Sequence, residues 1–314
     1  MKSFHKSVLV DECLNTLSFP RDEEKLLIDG TLGEGGHSQA FLQAFPKLKV
    51  IGVDADPEIQ EVAKLRLESF KDRVEFYSGW SDEFFENYPP SKNRPNLILL
   101  DLGISMYHYL ASKKGFSFNE EDSLDMRLSL SLDVSAKDIV NDYPEKEIVR
   151  ILKEYGEERY SFRIAKSIVE ARKLKKIENA KELASIIFDN VPHSYKHLSI
   201  HPATKTFQAL RIEVNHELDR LPHLLQLAFD TLSVDGRLAV ITFHSLEDRI
   251  VKKYFRLLSL SCTCPPNSPI CRCGGNNARG QLINRRAIKP TEKEIEYNHA
   301  ARSAKLRVIQ KIRN

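Results

Sequence analysis

The first hundred residues alternate between two hydrophobic periods. "KLLID" (25–29) is a short apolar run bounded by charge, and "HSQAFLQAF" (37–45) has its apolar residues at helical spacing. "KVIGVDADP" (49–57) reads as a buried strand running into acids, and "PEIQEVAKLRLESF" (57–70) as an amphipathic helix. "RVEFYSG" (73–79) and "PNLILLDLG" (95–103) are two further strands. Strands separated by helices predict βαβ units and a parallel sheet with right-handed crossovers. The pattern returns late: "FQALRIEVNHELDRLPHLLQLAFDTL" (207–232) is helical, "VDG" turns, and "RLAVITF" (237–243) is a strand.

The segment between reads differently. "SAKDIV" offers Ser135 as an N-cap with Asp138 three residues on, a capping box. "PEKEIVRILKEYG" starts at Pro144 and stops at Gly156, as helices do. "FRIAKSIVEARKL" places Phe162, Ala165, Ile168 and Val169 on one face. "NAKELASIIFDNVP" starts at Asn179 and stops before Pro192. Helices without a convincing strand predict a helical domain (106–204) inserted into a discontinuous α/β domain (1–105 and 205–314). There are no internal repeats.

With 41% hydrophobic and 29% charged residues, the 314-residue chain has an ordinary globular composition. It is long enough to bury a real core. The longest apolar runs fall far short of the ~20 residues of a membrane span. Asp11 and Glu12 interrupt the N-terminal apolar segment, so no signal peptide is expected and the default location is cytoplasmic. Charge changes the picture more. Residues 249–314 hold 15 Lys and Arg against 3 Asp and Glu, whereas the rest of the chain holds 32 against 41. A basic final fifth on an otherwise acidic protein predicts a polyanion-facing surface, nucleic acid first; a merely solvated basic tail is the rival reading.

Cys262, Cys264, Cys271 and Cys273 form C-x-C-x6-C-x-C in "CTCPPNSPICRC", apart from the lone Cys13. In a cytosolic protein such a group suggests a metal more than disulfides. The C-x-C pairs are tighter than the usual C-x2-C knuckle. A structural zinc therefore stands against a reduced turn braced by Pro265, Pro266 and Pro269.

Ligands of open α/β sheets sit beyond the carboxyl ends of the strands. Asp29, Asp54, Gly79-Trp80 and Asp101 are four such ends, and "GTLGEGGHS" follows the first. Gly33 and Gly35 match a G-x-G-x-x-G fingerprint, but Ser38 stands at its third glycine. A Walker G-K-[ST] is also missing, which disfavours a nucleoside triphosphate. Asp54, about 20 residues on, suits ribose hydroxyls. Asp29 would repel a pyrophosphate and suit a cation. S-adenosylmethionine, with a sulfonium, an ammonium, a ribose and no phosphate, fits these terms best.

"HKSVLVDECL", "IDGTLGEGGHS", "DLGIS", "GFSF" with "LDMR", "YGEERYSFRIAKSIV", "HPATKTFQALRIEVNHEL", "ITFHSLEDRIVK" and "ARSAKLRV" together resemble the RsmH (MraW) family. The likeness runs from about His5 to Val308. The resemblance implies a class I (Rossmann-like) S-adenosylmethionine-dependent methyltransferase with an inserted helical domain. It implies methylation of N4 of a P-site cytidine in 16S rRNA of the small ribosomal subunit. The donor site it implies comprises Gly35, Gly36, His37, Asp54, Trp80 (with Phe84 as the alternative) and Asp101. His108 stands where the family commonly has Gln.

Asp101 is the candidate catalytic residue, either orienting the donor or also polarising cytosine N4. On "HPATKTFQALRIEVNHEL", Phe207, Leu210, Val214 and Leu218 form an apolar stripe and Gln208, Arg211 and Asn215 a polar one. Arg211, Asn215, His244 and Arg249 are candidate substrate contacts, with Lys252 beside them. Ser245 with Asp248 reads as a capping box. Arg285, Arg286, Lys289, Arg302, Lys305 and Arg307 would capture RNA backbone. An RNA-binding assembly factor with a vestigial donor pocket is the alternative function, a nicotinamide oxidoreductase a distant third. No membrane partner is expected, and a homodimer is left open.

Overall fold

The computed structural model describes residues 6–118, 122–129, 131–197, 200–265 and 270–314. Two compact units divide the chain: residues 1–104 with 219–314, and residues 105–218. The first unit is built on seven strands: β1 Lys25–Asp29, β2 Leu48–Asp54, β3 Val74–Ser78, β4 Leu97–Asp101, β5 Arg237–Thr242, β6 Gly280–Leu282 and β7 Lys305–Lys311. Their order is β3-β2-β1-β4-β5-β7-β6. The first five are mutually parallel, and β7 runs antiparallel to both β5 and β6.

Both faces of the sheet are covered, which explains the continuous apolar runs. Successive strand residues point to opposite faces. Leu27, Leu99, Ala239 and Ile241 join one core with Phe41, Leu42, Cys13 and Leu17. Ile28, Ile98, Leu100, Leu238 and Val240 join the other with Leu225, Phe229, Val251 and Phe255. The five expected strands are present. β6 and β7 were not foreseen, because β7 lies in a segment whose basic residues read as an RNA surface.

The second unit is helical among its described residues. Ser135 caps Ala136–Asp142 in a complete box with Asp138, and Asn179 caps Ala180–Asn190. The helix Ser161–Leu174 buries Ser161, Ile164, Ala165 and Ile168. Ala165 and Ile168 of the expected stripe are thus buried, whereas Phe162 is 67% exposed and Ile164 takes its place in the core. The long helical segment after residue 204 is broken at His216, whose φ of 52° is left-handed. Thr204–Asn215 packs on Glu145–Glu154 and so belongs to the second unit, whereas the sequence reading placed it in the first.

Candidate functional site

Strand order reverses between β1 and β4, since β1 is flanked by β2 and the chain crosses to β4 on its other side. Their carboxyl ends are the topological switch point where an open α/β sheet receives a ligand. Residues 30–35 leave β1 as a tight turn, with Gly33 at φ 53° and Gly35 at φ 76°. Gly35 is the N-cap of the helix Gly36–Ala44. Asp54, at the end of β2, fastens this turn. Its Oδ2 accepts from the Gly33 N–H at 2.7 Å and its Oδ1 from the Asp56 N–H at 2.9 Å. A carboxylate so held is fixed in direction before any ligand arrives.

Gly36 is glycine for a different reason than ligand approach. A Cβ there would stand 2.1 Å from Ser7 Oγ and 3.1 Å from an Arg66 guanidinium nitrogen. The chain's own N-terminal segment therefore fills that space. Leu9 N–H donates to Glu294 Oε1 at 2.7 Å, and Asn298 Nδ2 donates to the Lys6 carbonyl at 2.9 Å. Residues 6–9 and 294–298, nearly 300 residues apart, thus hold each other beside the glycine turn.

Asp29 is 1% exposed, and Ser38 Oγ donates to its Oδ2 at 2.7 Å. Burial raises its carboxyl to about 6, with the bonds from Ser38 and Thr31 opposing. The expectation that Asp29 faces a cationic ligand is thereby corrected: it is an internal brace. Ser38, read only as a departure from a glycine fingerprint, is the hydroxyl that the brace requires.

Asp101 ends β4. Its N–H donates to Thr31 Oγ1 at 2.5 Å, which ties β4 to the glycine turn. Its Oδ2 lies 3.6 Å from His37 Nδ1, while His37 Nε2 donates to the Val8 carbonyl at 2.9 Å. The Val8 bond fixes the ring so that Nδ1 faces the carboxylate. Among the described residues, Asp101 Oδ1 has no hydrogen-bond partner, and the side chain is 23% exposed. Burial pushes this carboxyl up to about 6; His37 pulls it down, while Asp29 and Glu247 add to the rise. His37 is itself 5% exposed and acts as an internal support.

Trp80 follows β3 as the N-cap of Ser81–Glu86 and is half-buried. The Arg220 guanidinium sits 4.4 Å from its ring centroid. Arg220 is held there by Asp82 at 2.6 Å and Glu83 at 2.9 Å. One ring face is therefore taken by a cation that sequence reasoning missed, since 140 residues separate the partners. Phe84, the alternative, packs in the core against Tyr77, Phe85 and Tyr88.

Several substrate candidates have structural posts. Asn215 is fully buried; its Oδ1 accepts from the Leu128 N–H at 2.9 Å and its Nδ2 donates to the Met126 carbonyl at 2.8 Å. Arg211 makes a bidentate pair with Glu217, both bonds 2.8 Å. Gln208 donates to the Tyr155 carbonyl. The expected polar stripe is thus an inward one, and Asn215 is corrected to a core brace. His108 lies in the second unit, 5% exposed and edge-to-face with Phe116. Its ring has a packing role there.

His244, not Ser245, is the N-cap of Ser245–Leu258, completing the box with Glu247. Asp248 instead pairs with Arg307 at 2.7 Å and Lys305 at 3.5 Å, so these two basic residues are partly neutralised. Arg249, Lys252, Arg285, Arg286, Lys289 and Arg302 are exposed. Among the described residues no helix is long and apolar enough to cross a membrane.

A Rossmann-like sheet with one antiparallel strand near its edge, a glycine turn after β1 and acids ending β1, β2 and β4 defines the class I methyltransferase fold. The sequence profile of the MraW methylase family matches residues 2–312. The chain belongs to that family. It is 57% identical over 312 residues to the ribosomal RNA small subunit methyltransferase H of Treponema denticola, covering 99% of this chain and 98% of that protein. The protein of that name from Borreliella burgdorferi (strain ZS7) is 46% identical, with 99% of each chain covered. The one from Lachnospira eligens is 40% identical, again with 99% of each covered.

Proposed function

We propose that this protein transfers the methyl group of S-adenosylmethionine to N4 of a P-site cytidine in 16S rRNA of the small ribosomal subunit. The single observation that carries the site assignment is Asp101: a carboxylate at the switch point, with one oxygen unpartnered among the described residues and the other steadied by His37. The acids Asp54 and Asp101 at the ends of β2 and β4 disfavour a phosphate-bearing ligand and suit the cationic, phosphate-free donor. When bound, the donor supplies a sulfonium methyl for in-line displacement. Asp54, already directed by Gly33 and Asp56, takes the ribose hydroxyls. Trp80 offers an aromatic surface to the adenine, and the turn around Gly33 and Gly35 lets the ligand approach the backbone. Cytosine N4 is a poor nucleophile because its lone pair is delocalised into the ring. The partly accessible Asp101 carboxylate accepts an N4 hydrogen and draws off the positive charge that develops.

Capture of the RNA falls to the exposed cations Arg249, Lys252, Arg285, Arg286, Lys289 and Arg302. Recognition of the folded RNA falls to the helical unit, as RNA is read mostly by shape and by unstacked bases. That unit has a surface cleft of about 280 Å³ lined by Phe118, Lys181, Ala184, Ser185, Phe188 and His201. His201 stacks on Phe118 at 4.6 Å and on Phe188 at 5.7 Å between ring centroids. Aromatic platforms of this kind suit a splayed nucleotide.

The RNA half of this reading has a direct test. Arg285→Glu with Arg286→Glu is expected to raise the KM for small subunits about tenfold or more and to flatten its salt dependence, because two phosphate contacts become repulsive. Calorimetric affinity for S-adenosylmethionine should stay put. An unchanged KM for subunits would remove this surface from the account.

A further inference from the structure

The connection from the helix Ser245–Leu258 to β6 runs over residues 259–279 and holds no helix or strand among its described residues. None of those described residues is buried. Loops of this length inside a compact domain are uncommon unless something of their own orders them. Ordering each residue costs conformational entropy, and here no apolar core offsets it. The base of the loop is tied down. Asn277 N–H donates to the Ser261 carbonyl at 2.9 Å, Asn277 Nδ2 to the Cys273 carbonyl at 3.0 Å, and Arg279 N–H to the Leu258 carbonyl at 2.8 Å.

The far part of the loop holds four thiols instead of a core. The sulfurs of Cys262, Cys264, Cys271 and Cys273 all lie within 4.8 Å of one another. Cys262 Sγ is 3.7 Å from Cys271 Sγ, and Cys273 Sγ is 3.6 Å from each of these two. A disulfide would bring a pair to about 2.0 Å. Four sulfurs placed tetrahedrally at ~2.3 Å from a zinc ion stand about 3.8 Å apart. The observed spacing is that of a coordination tetrahedron.

The backbone is arranged to match. Thr263 N–H donates to Cys273 Sγ at 3.3 Å, and Arg272 N–H donates to Cys264 Sγ at 3.2 Å. Such donors orient and steady thiolate ligands. Directly after the last thiol, Gly274 and Gly275 take φ of 79° and 66° and reverse the chain, in a conformation that side chains resist. Pro265 is exposed, and Pro266 and Pro269, named as braces in the sequence reading, lie outside the described residues. Neutral thiols would have only weak S–H contacts to hold this arrangement.

We propose that Cys262, Cys264, Cys271 and Cys273 form a tetrathiolate site for a divalent zinc ion that folds the 259–279 loop. Four thiolates around one divalent cation keep a net negative charge. The site therefore organises the loop and does not itself contact phosphate.

The test uses the full chain. Protein purified without chelator is expected to carry about one equivalent of zinc by elemental analysis, as a four-ligand structural site should. Cys271→Ser with Cys273→Ser is expected to carry none. It should also be cut by trypsin at Arg272 at least tenfold faster, while binding S-adenosylmethionine as the parent does. Cobalt(II) added to the reduced, metal-stripped parent should give the d–d and thiolate charge-transfer bands of tetrahedral cobalt, and the variant should give neither. A parent that shows no such spectrum and whose four thiols titrate freely would overturn the proposal, as would disulfides in protein prepared without oxygen. Iron in place of zinc would overturn the choice of metal.

Discussion

Asp101→Asn is expected to lower the rate of methyl transfer at saturating donor about 10²-fold while making the protein more stable at pH 8. The first effect follows from losing an anionic acceptor at the position where N4 sheds its charge; groups of this kind contribute ~10²–10⁴ in rate. The second follows from burial. The Asp101 carboxyl is pushed up to about 6, so its ionised form is disfavoured in the folded chain. A carboxyl raised from the model-peptide value contributes stability that is fully present below pH ~3.8 and is lost as pH rises through about 6. At pH 8 the wild-type chain therefore holds an ionised group at a cost of ~1–3 kcal/mol, the lower end reflecting its partial exposure. Asparagine removes that cost. Thermal unfolding should show the variant ahead of the parent at pH 8, with the advantage shrinking as pH falls towards 4. A variant that turns over normally would rule out a proton- or charge-accepting role and leave Asp101 as an orienting residue.

Asn215→Leu is expected to destabilise the helical unit by ~2–4 kcal/mol, because it removes the buried amide that pairs two backbone groups. The Leu128 N–H loses its acceptor and the Met126 carbonyl its donor. Met126 has a left-handed φ of 60°, a conformation that needs its surroundings to hold it. Denaturant unfolding should report the loss. Assayed well below the melting transition, the folded variant should keep the parent's KM for small subunits. A large rise in that KM with stability intact would return Asn215 to the substrate surface, where its polar stripe on a helix had suggested it belonged.

The parallel strands and the glycine turn were legible in the sequence because their signals are local. A buried strand is a run of apolar residues, and a tight turn needs glycine where φ is positive, as at Gly33 and Gly35. The acids were legible as strand ends, but their division of labour was not. Asp29 and Asp101 look alike in sequence, and the difference lies in Ser38 and Thr31, whose hydroxyls reach across the turn. The polar stripe of Thr204–Asn215 misled for a related reason. Periodicity shows that residues share a face, and it cannot distinguish a solvated face from one turned inward to bind backbone groups at Met126 and Leu128. The cap of Ser245–Leu258 was missed by one residue, because an imidazole filled a post usually given to a hydroxyl or carboxylate. Long-range pairs such as Arg220 on Trp80, and Ser7 against Gly36, leave no mark on either neighbourhood.

The most direct test of the central claim is transfer of labelled methyl from S-adenosylmethionine to small ribosomal subunits isolated from cells lacking this modification, followed by nucleoside analysis of the 16S rRNA. The account predicts N4-methylated cytidine at one P-site position, formed by the parent protein and nearly lost with Asp101→Asn. Donor binding with no methylated cytidine on those subunits, or label on another base or atom, would contradict it.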